Sequence, residues 1–195
     1  KRAFVLLSGG IDSTTCLHRA MRDFAPPGVV DFDTIDVRWV EAISVDYGQR
    51  HRKEAEYAAR TCARFGIKHS VLSIRGILDG AGVMLADASV PIPSISYGEI
   101  KGVSPTYVPF RNGTLLSLIT AHAQKWVNAQ MVEMLKESSG HQPVLGVYPQ
   151  QEQTVWATAQ MKDSVGIYFG AHAEDAANWA YPDCTPEFIG AMANA

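Results

Sequence analysis

Phe4-Val5-Leu6-Leu7-Ser8-Gly9-Gly10-Ile11-Asp12-Ser13-Thr14-Thr15 decides the fold. The apolar run predicts a buried strand over residues 4–7, and the residues from 13 to 24 predict a helix, with the glycine pair as the turn between them. Glycines let the backbone approach a ligand, the free amides of a first helical turn point at it, and the helix dipole favours negative charge there. Ser8, Ser13 and Thr14 add hydroxyls suited to phosphate oxygens. A plain βα turn capped by Asp12 or Ser13 would use the same residues. The strand before and the helix after favour the anion socket. No Gly-Lys-Ser/Thr stands at the turn, and the spacing is not Gly-x-Gly-x-x-Gly, so neither a Walker loop nor a dinucleotide fingerprint is present.

Outward from this turn, strand and helix alternate, which predicts a parallel sheet covered on both faces. Strands are expected over residues 41–45, 69–74 and 165–169, and helices over 54–65, 113–136 and 186–195, with Gly66 closing the second helix. Residues 29–40 read as a polar excursion or hairpin. Residues 76–106, rich in Gly, Pro and Ser, suit a binding lid or a surface loop. Extra elements are expected at 143–148 and 152–161. The apolar residues of the long helix, Leu115, Leu116, Leu118, Ile119, Trp126, Met131, Met134 and Leu135, suit core or dimer packing.

The 195 residues suit one domain, 47% hydrophobic and 19% charged, with a formal net charge of −3. That balance gives no broad attraction to nucleic acid or to an anionic membrane and favours a small-molecule substrate. Cys16, Cys62 and Cys184 form no CxxC pair, which suits a reducing cytoplasm. There is no apolar run of membrane-spanning length and no signal-peptide pattern. A first residue that is not Met and a last residue inside a helical pattern lead us to expect trimmed ends.

Further constellations fall beyond the strand ends, where an open parallel sheet binds its ligands. Asp46-Tyr47-Gly48-Gln49-Arg50-His51 follows the second strand. Val108-Pro109-Phe110-Arg111-Asn112 leads into the long helix, with Asn112 expected as its cap and Arg111 as a phosphate clamp. His172, Glu174, Asp175, Trp179, Tyr181, Asp183, Cys184 and Glu187 follow the last strand. Adjacent spacing makes His172, Glu174 and Asp175 a poor metal set. A carboxylate such as Asp183 matches the two parallel donors of a guanine-type ring, and Tyr181 or Trp179 could stack on it. Cys184 reads equally as a small buried residue or a reactive thiol. His18, His69, His122 and His141 read as structural or exposed.

The strand-SGGxDS-helix context resembles the pyrophosphate loop (PP-loop) of the N-type ATP pyrophosphatases. Taken with the Asp46-to-His51 segment, Val108-Pro109-Phe110-Arg111-Asn112 and Tyr181-Pro182-Asp183-Cys184, the chain resembles the 7-cyano-7-deazaguanine synthase (QueC) family. That resemblance implies a three-layer, doubly wound α/β fold of the adenine nucleotide alpha hydrolase type, and an ATP-dependent C–N ligase. The substrates implied are 7-carboxy-7-deazaguanine and ammonia. The acid is adenylated, ammonia displaces AMP, and a second activation dehydrates the amide to the nitrile. Leu7, Ser8, Gly9, Gly10, Asp12, Ser13, Thr14, Val45, Tyr47 and Arg111 are the expected ATP site, with Asp12, Ser13 and Arg111 catalytic. Gln49, Arg50, His51, Asn112, His172, Asp175, Tyr181, Asp183, Cys184 and Glu187 are the expected substrate site.

The resemblance also implies Mg²⁺ on the phosphates. Its four-cysteine zinc site would lie after the Tyr-Pro-Asp-Cys segment, and the chain ends before any such cluster. Residues 126–164 look longer than the family's connection and read as an inserted element that serves homodimer formation or meets an ammonia-donating partner. Rival readings are a relative that stops at 7-amido-7-deazaguanine, another PP-loop adenylating enzyme, and a non-catalytic nucleotide-binding module.

Overall fold

The computed structural model of the chain describes residues 1–33, 35–49, 53–77, 99–139, 161 and 163–194. Four strands, β1 (Arg2–Leu6), β2 (Val40–Asp46), β3 (Lys68–Ser73) and β4 (Val165–Tyr168), form a parallel sheet in the order β3-β2-β1-β4. The chain runs outward through β1, β2 and β3 and then crosses back to β4 on the other side of β1. The strand order therefore reverses between β1 and β4, the place where such sheets open a ligand crevice.

Alternation along the strands divides the core in two. Ala3, Val5 and Leu7 with Val40 and Ala42 face helices α1 (Ile11–Asp23) and α2 (Lys53–Arg64), where Leu17, Ala20, Met21, Ala58 and Cys62 cover them. Phe4, Leu6, Ile43 and Val45 face α3 (Arg111–Ser139), which contributes Ile119 and Ala123. This is the expected three-layer arrangement. Leu115, Leu116, Leu118 and Trp126, partly buried, pack against the second core.

Short elements close the chain: α4 (Ala173–Ala176), 3₁₀ turns at Ala177–Trp179 and Pro182–Cys184, and α5 (Pro186–Asn194). No helix among the described residues is long and apolar enough to cross a membrane.

One expectation changes. Described residues between α1 and β2 form turns and bends without a strand, so the hairpin is absent there. Val37 is instead buried in the first core with Phe32 and Trp39 packed beside it, and the Trp39 indole donates to the Met21 carbonyl at 3.0 Å. These apolar side chains close the end of the α1–α2 layer, with the Phe32 and Trp39 rings 6.4 Å apart between centroids. Helix α3 runs unbroken from Arg111 to Ser139, through the start of the segment read as an insertion. The elements expected at 143–148 and 152–160, most of the 76–106 loop, and His141 lie outside the described residues.

Glu41 is the surprise of the sheet. It sits in the middle layer at 1% exposure, on the α3 face. Lys68 on β3 lies 2.9 Å from it, His122 on α3 2.9 Å and Arg2 on β1 3.8 Å, and Ser70 donates at 3.2 Å. Burial alone would raise its pKa, but the bonds from Lys68 and His122 prevail and hold the carboxyl below its usual range. A charge inside the protein is tolerated because three elements supply its partners.

Candidate active site

The phosphate-loop geometry follows from its smallest residues. Gly9 has φ +89°, and a Cβ there would run into the Glu54 carbonyl of α2. Only glycine meets both demands at once. Ser8 and Ser13 then lock the bend. The Ser8 amide donates to Ser13 Oγ at 3.2 Å, Ser13 Oγ donates to the Gly10 carbonyl at 3.1 Å, and the two hydroxyls lie 3.0 Å apart. The Gly10 amide donates to Ser8 Oγ at 3.3 Å.

Neither Asp12 nor Ser13 caps α1. Gly10 occupies the N-cap in extended backbone, and Asp12 lies in the first turn. The Thr14 amide is the first to find a partner within the helix, the Gly10 carbonyl at 3.0 Å. The amides of Ile11, Asp12 and Ser13 thus remain at the helix start for an anion.

The loop opens into a cavity of about 510 Å³ at the carboxyl ends of the strands. Leu7, Ser8 and Ser13 form one side, Val45, Tyr47 and Gln49 another, and Arg111 with Asn112 enters from the start of α3. Gly9, Gly10, Asp12 and Thr14 shape the loop beside it without lining it. Gln49 braces its own turn. Its amide donates to the Val45 carbonyl at 3.1 Å, and its oxygen accepts from the Tyr47 amide at 3.0 Å. Arg50 and His51 lie outside the described residues.

The cavity also contains residues that sequence reasoning missed. Arg75, just past β3, places Nε and Nη2 each 2.8 Å from Asp46 Oδ2. Its position beyond a strand end was the available signal, the same one that singled out Val45. Gly170, past β4, packs so closely on the start of α1 that a Cβ would sit 3.1 Å from the Ser13 amide nitrogen. The exit of β4 thus presses directly on the phosphate-loop helix.

The approach to α3 is bent to aim Arg111. Phe110 adopts φ +56°, which is uncommon for an aromatic residue. Its amide donates to Tyr107 Oη at 3.0 Å, and its ring covers Gly113, where a Cβ would come 2.5 Å from it. Phe188 of α5 meets that ring edge-on at 5.7 Å between centroids.

Asn112 is not the helix cap; it lies inside α3. Its amide donates to Asp183 Oδ2 at 2.8 Å. Its side chain donates to the Asp183 carbonyl at 3.3 Å and to Cys184 Sγ at 3.1 Å, and its Oδ1 accepts from Arg111 Nε at 3.4 Å.

The expected substrate residues therefore divide. Gln49 and Asn112 line the cavity, whereas His172, Asp175, Tyr181, Asp183, Cys184 and Glu187 do not. His172 accepts from the Glu174 amide at the start of α4. Tyr181 Oη pairs with Thr106 Oγ1 at 2.6 Å, and its backbone amide donates to the Asp175 carbonyl. Glu187 is exposed in the first turn of α5. Asp183 is 3% exposed, with its carboxyl raised by burial, so it does not present a free edge to a ring in this arrangement. Burial pushes the Cys184 thiol up to about 11, which favours the inert reading of that residue over the reactive one. The segment after β4 is a buttress behind the start of α3.

Comparison with known proteins places this chain in a family. The model of the family described as queuosine biosynthesis protein QueC matches residues 2–141. Among curated proteins, the 7-cyano-7-deazaguanine synthase of Alteromonas mediterranea is 31% identical over 188 residues, 96% of this chain and 62% of that protein. The enzyme of that name from Aromatoleum aromaticum is 34% identical over 98% of this chain and 62% of its own length. The one from Methanoregula boonei is 31% identical over 100% of this chain and 65% of its own. This chain thus spans less than two thirds of the length of these relatives.

Proposed function

This chain belongs to the QueC family of queuosine biosynthesis proteins, and from that premise we propose that it carries the ATP site of a 7-cyano-7-deazaguanine synthase. On this reading 7-carboxy-7-deazaguanine attacks the α-phosphorus of ATP through a carboxylate oxygen. Pyrophosphate leaves and an acyl-adenylate forms. Ammonia adds to the acyl carbon and AMP departs, giving the amide. A second activation of the amide oxygen by ATP, followed by loss of AMP and proton transfer, yields the nitrile.

The observation that carries the proposal is the locked Ser8-Gly9-Gly10 bend opening into a cavity that Arg111 enters from another element. Adenylation asks a protein mainly for in-line positioning and charge neutralisation. The amides of the first turn of α1 hold the departing pyrophosphate, with Ser8 and Ser13 keeping the bend in shape. Arg111 offsets charge developing on the phosphates. Val45 and Tyr47 form the wall for adenine. Gln49, Asn112, Arg50 and His51 are assigned to the deazaguanine side. The whole of 1–195 acts as one PP-loop domain.

Mg²⁺ fits this donor set as an ion held chiefly by substrate phosphates, with Asp12 the carboxylate the loop offers, and would supply charge neutralisation. Zinc does not fit the described residues. They contain no group of three or more His, Cys, Asp or Glu able to hold a metal, and no step is assigned to it.

The test is mass spectrometry of products from ATP, ammonium and 7-carboxy-7-deazaguanine. AMP, pyrophosphate and a product carrying a nitrile are expected. An amide end product would move the chain to the amide-forming relatives, and ATP binding without turnover would make it a nucleotide-binding module.

A further inference from the structure

The structure places a buried carboxylate behind the phosphate clamp rather than in the cavity. Asp183 is 71 positions from Asn112 in sequence, yet its Oδ2 accepts the Asn112 amide at 2.8 Å, in the first turn of a 29-residue helix. A carboxylate there satisfies an amide that has no partner within the helix and complements the positive end of the dipole. The Asn112 side chain is fixed by the Asp183 carbonyl and the Cys184 sulfur, and it presents Oδ1 to Arg111 Nε. Both faces of this one residue are thus oriented by the 183–184 turn, and of this chain of bonds Arg111 and Asn112 line the cavity while Asp183 and Cys184 do not.

We propose that Asp183 is a positioning residue, which anchors the first turn of α3 through Asn112 and so sets where the Arg111 guanidinium stands. The proposal rests on the ATP-site reading above and reassigns Asp183 from ring recognition to clamp support. The Tyr-Pro-Asp-Cys turn then contributes to the reaction without touching substrate. Its Pro182 and Tyr181 fix the turn, Asp183 and Cys184 hold Asn112, and Asn112 holds Arg111.

Asparagine at 183 keeps an oxygen that can accept the Asn112 amide, whereas alanine does not. Asp183→Asn is therefore expected to keep kcat within about fivefold and KM for 7-carboxy-7-deazaguanine within about twofold. Asp183→Ala should lower kcat by about 10–100-fold. The double-mutant cycle with Arg111→Ala is decisive, because groups acting as one unit are non-additive. Asp183→Ala should cost little further once Arg111 is gone; a merely structural role would cost the same in both backgrounds. A rise in KM for the deazaguanine of tenfold or more in Asp183→Asn, with ATP unaffected, would overturn the proposal and return Asp183 to the substrate.

Should Asp183→Ala fail to fold, the cycle is run with Asp183→Ser, and full additivity overturns the proposal just as well. Hydrogen exchange at residues 111–115, read by mass spectrometry, reports on the anchor without turnover. It should be slow in the wild type and faster in Asp183→Ala. Unchanged exchange would sink the anchor even in an active enzyme. If the wild type fails to bind ATP or release pyrophosphate, the functional reading falls while the exchange result still stands on its own.

Discussion

Ser44 donates its hydroxyl proton to the Leu7 carbonyl across 2.6 Å, one residue before the phosphate loop begins. With that proton used, the 2.8 Å contact to His69 Nε2 requires the imidazole to donate. Strands β1, β2 and β3 are thus stitched by side chains where the sheet meets the cavity. Ser44→Ala leaves a buried carbonyl and an imidazole N–H without this partner, and should cost about 1–3 kcal/mol of stability. Chemical denaturation would measure it, and a loss under 0.5 kcal/mol would show that the stitch contributes little.

Gly9 is irreplaceable by a stricter argument. Alanine would be forced into the left-handed region and against the Glu54 carbonyl, which belongs to backbone and cannot rotate away. We expect Gly9→Ala to lose about 2 kcal/mol or more and to abolish detectable ATP binding by calorimetry. Wild-type affinity in a folded Gly9→Ala protein would remove the bend from the site.

Arg111→Ala should lower kcat by about 10²–10³-fold, the range for removing one preorganised group opposite developing charge. Its melting temperature should stay within a few degrees of wild type, because the guanidinium lines a cavity rather than a core. Activity above a tenth of wild type would exclude Arg111 from the reaction.

Acid should destabilise the fold in two stages. Burial lowers the His69 pKa below 6.5, so the folded state resists its protonation. Its contribution is complete above 6.5 and is lost as pH falls from there towards the folded value. Glu41 is held below its ordinary 4.5, so its contribution is complete above that value and is lost at lower pH still. Melting temperature against pH should show both declines. Glu41→Gln should flatten the lower one, at a cost of about 1–3 kcal/mol at pH 7. An unchanged acid limb in that variant would show that the cluster does not govern acid stability.

Thiol labelling should rank the three cysteines. Burial raises Cys62 and Cys184 to about 11, and both are buried, whereas Cys16 is half-buried and raised less. At pH 8 Cys16 should react first, with Cys62 and Cys184 silent until the protein unfolds. Early modification of Cys184, located by peptide mass, would contradict its place behind Asn112.

The layered architecture was legible because it is written locally. Apolar runs of four or five residues, glycine breaks and helical spacing recur in order, and they fix a parallel sheet before any contact is known. The glycine bend after β1 was legible for the same reason. What escaped the sequence depends on distant partners. Asn112 looked like a cap because an asparagine before a helical run usually is one; the acceptor for its amide comes from Asp183, far along the chain. Asp183 looked like a ligand because carboxylates beyond strand ends usually face the crevice, and nothing local reveals that its turn is held against the start of α3 through Asn112. Glu41 looked like the polar first residue of a strand. Its neutralising groups are spread over β1, β3 and α3, and only the assembled sheet unites them.

Helix α3 starts at the cavity with Arg111 and reaches Glu41 through His122 eleven residues later. At 1.5 Å per residue that is a stiff rod of roughly 16 Å. That part of α3 carries the guanidinium at its start and is moored by His122 to the buried Glu41 of the sheet. The molecule is thereby braced like a beam fixed at both supports, so a substitution at His122 acts on the pitch of the whole strut, and a loss of turnover there would speak of alignment rather than chemistry.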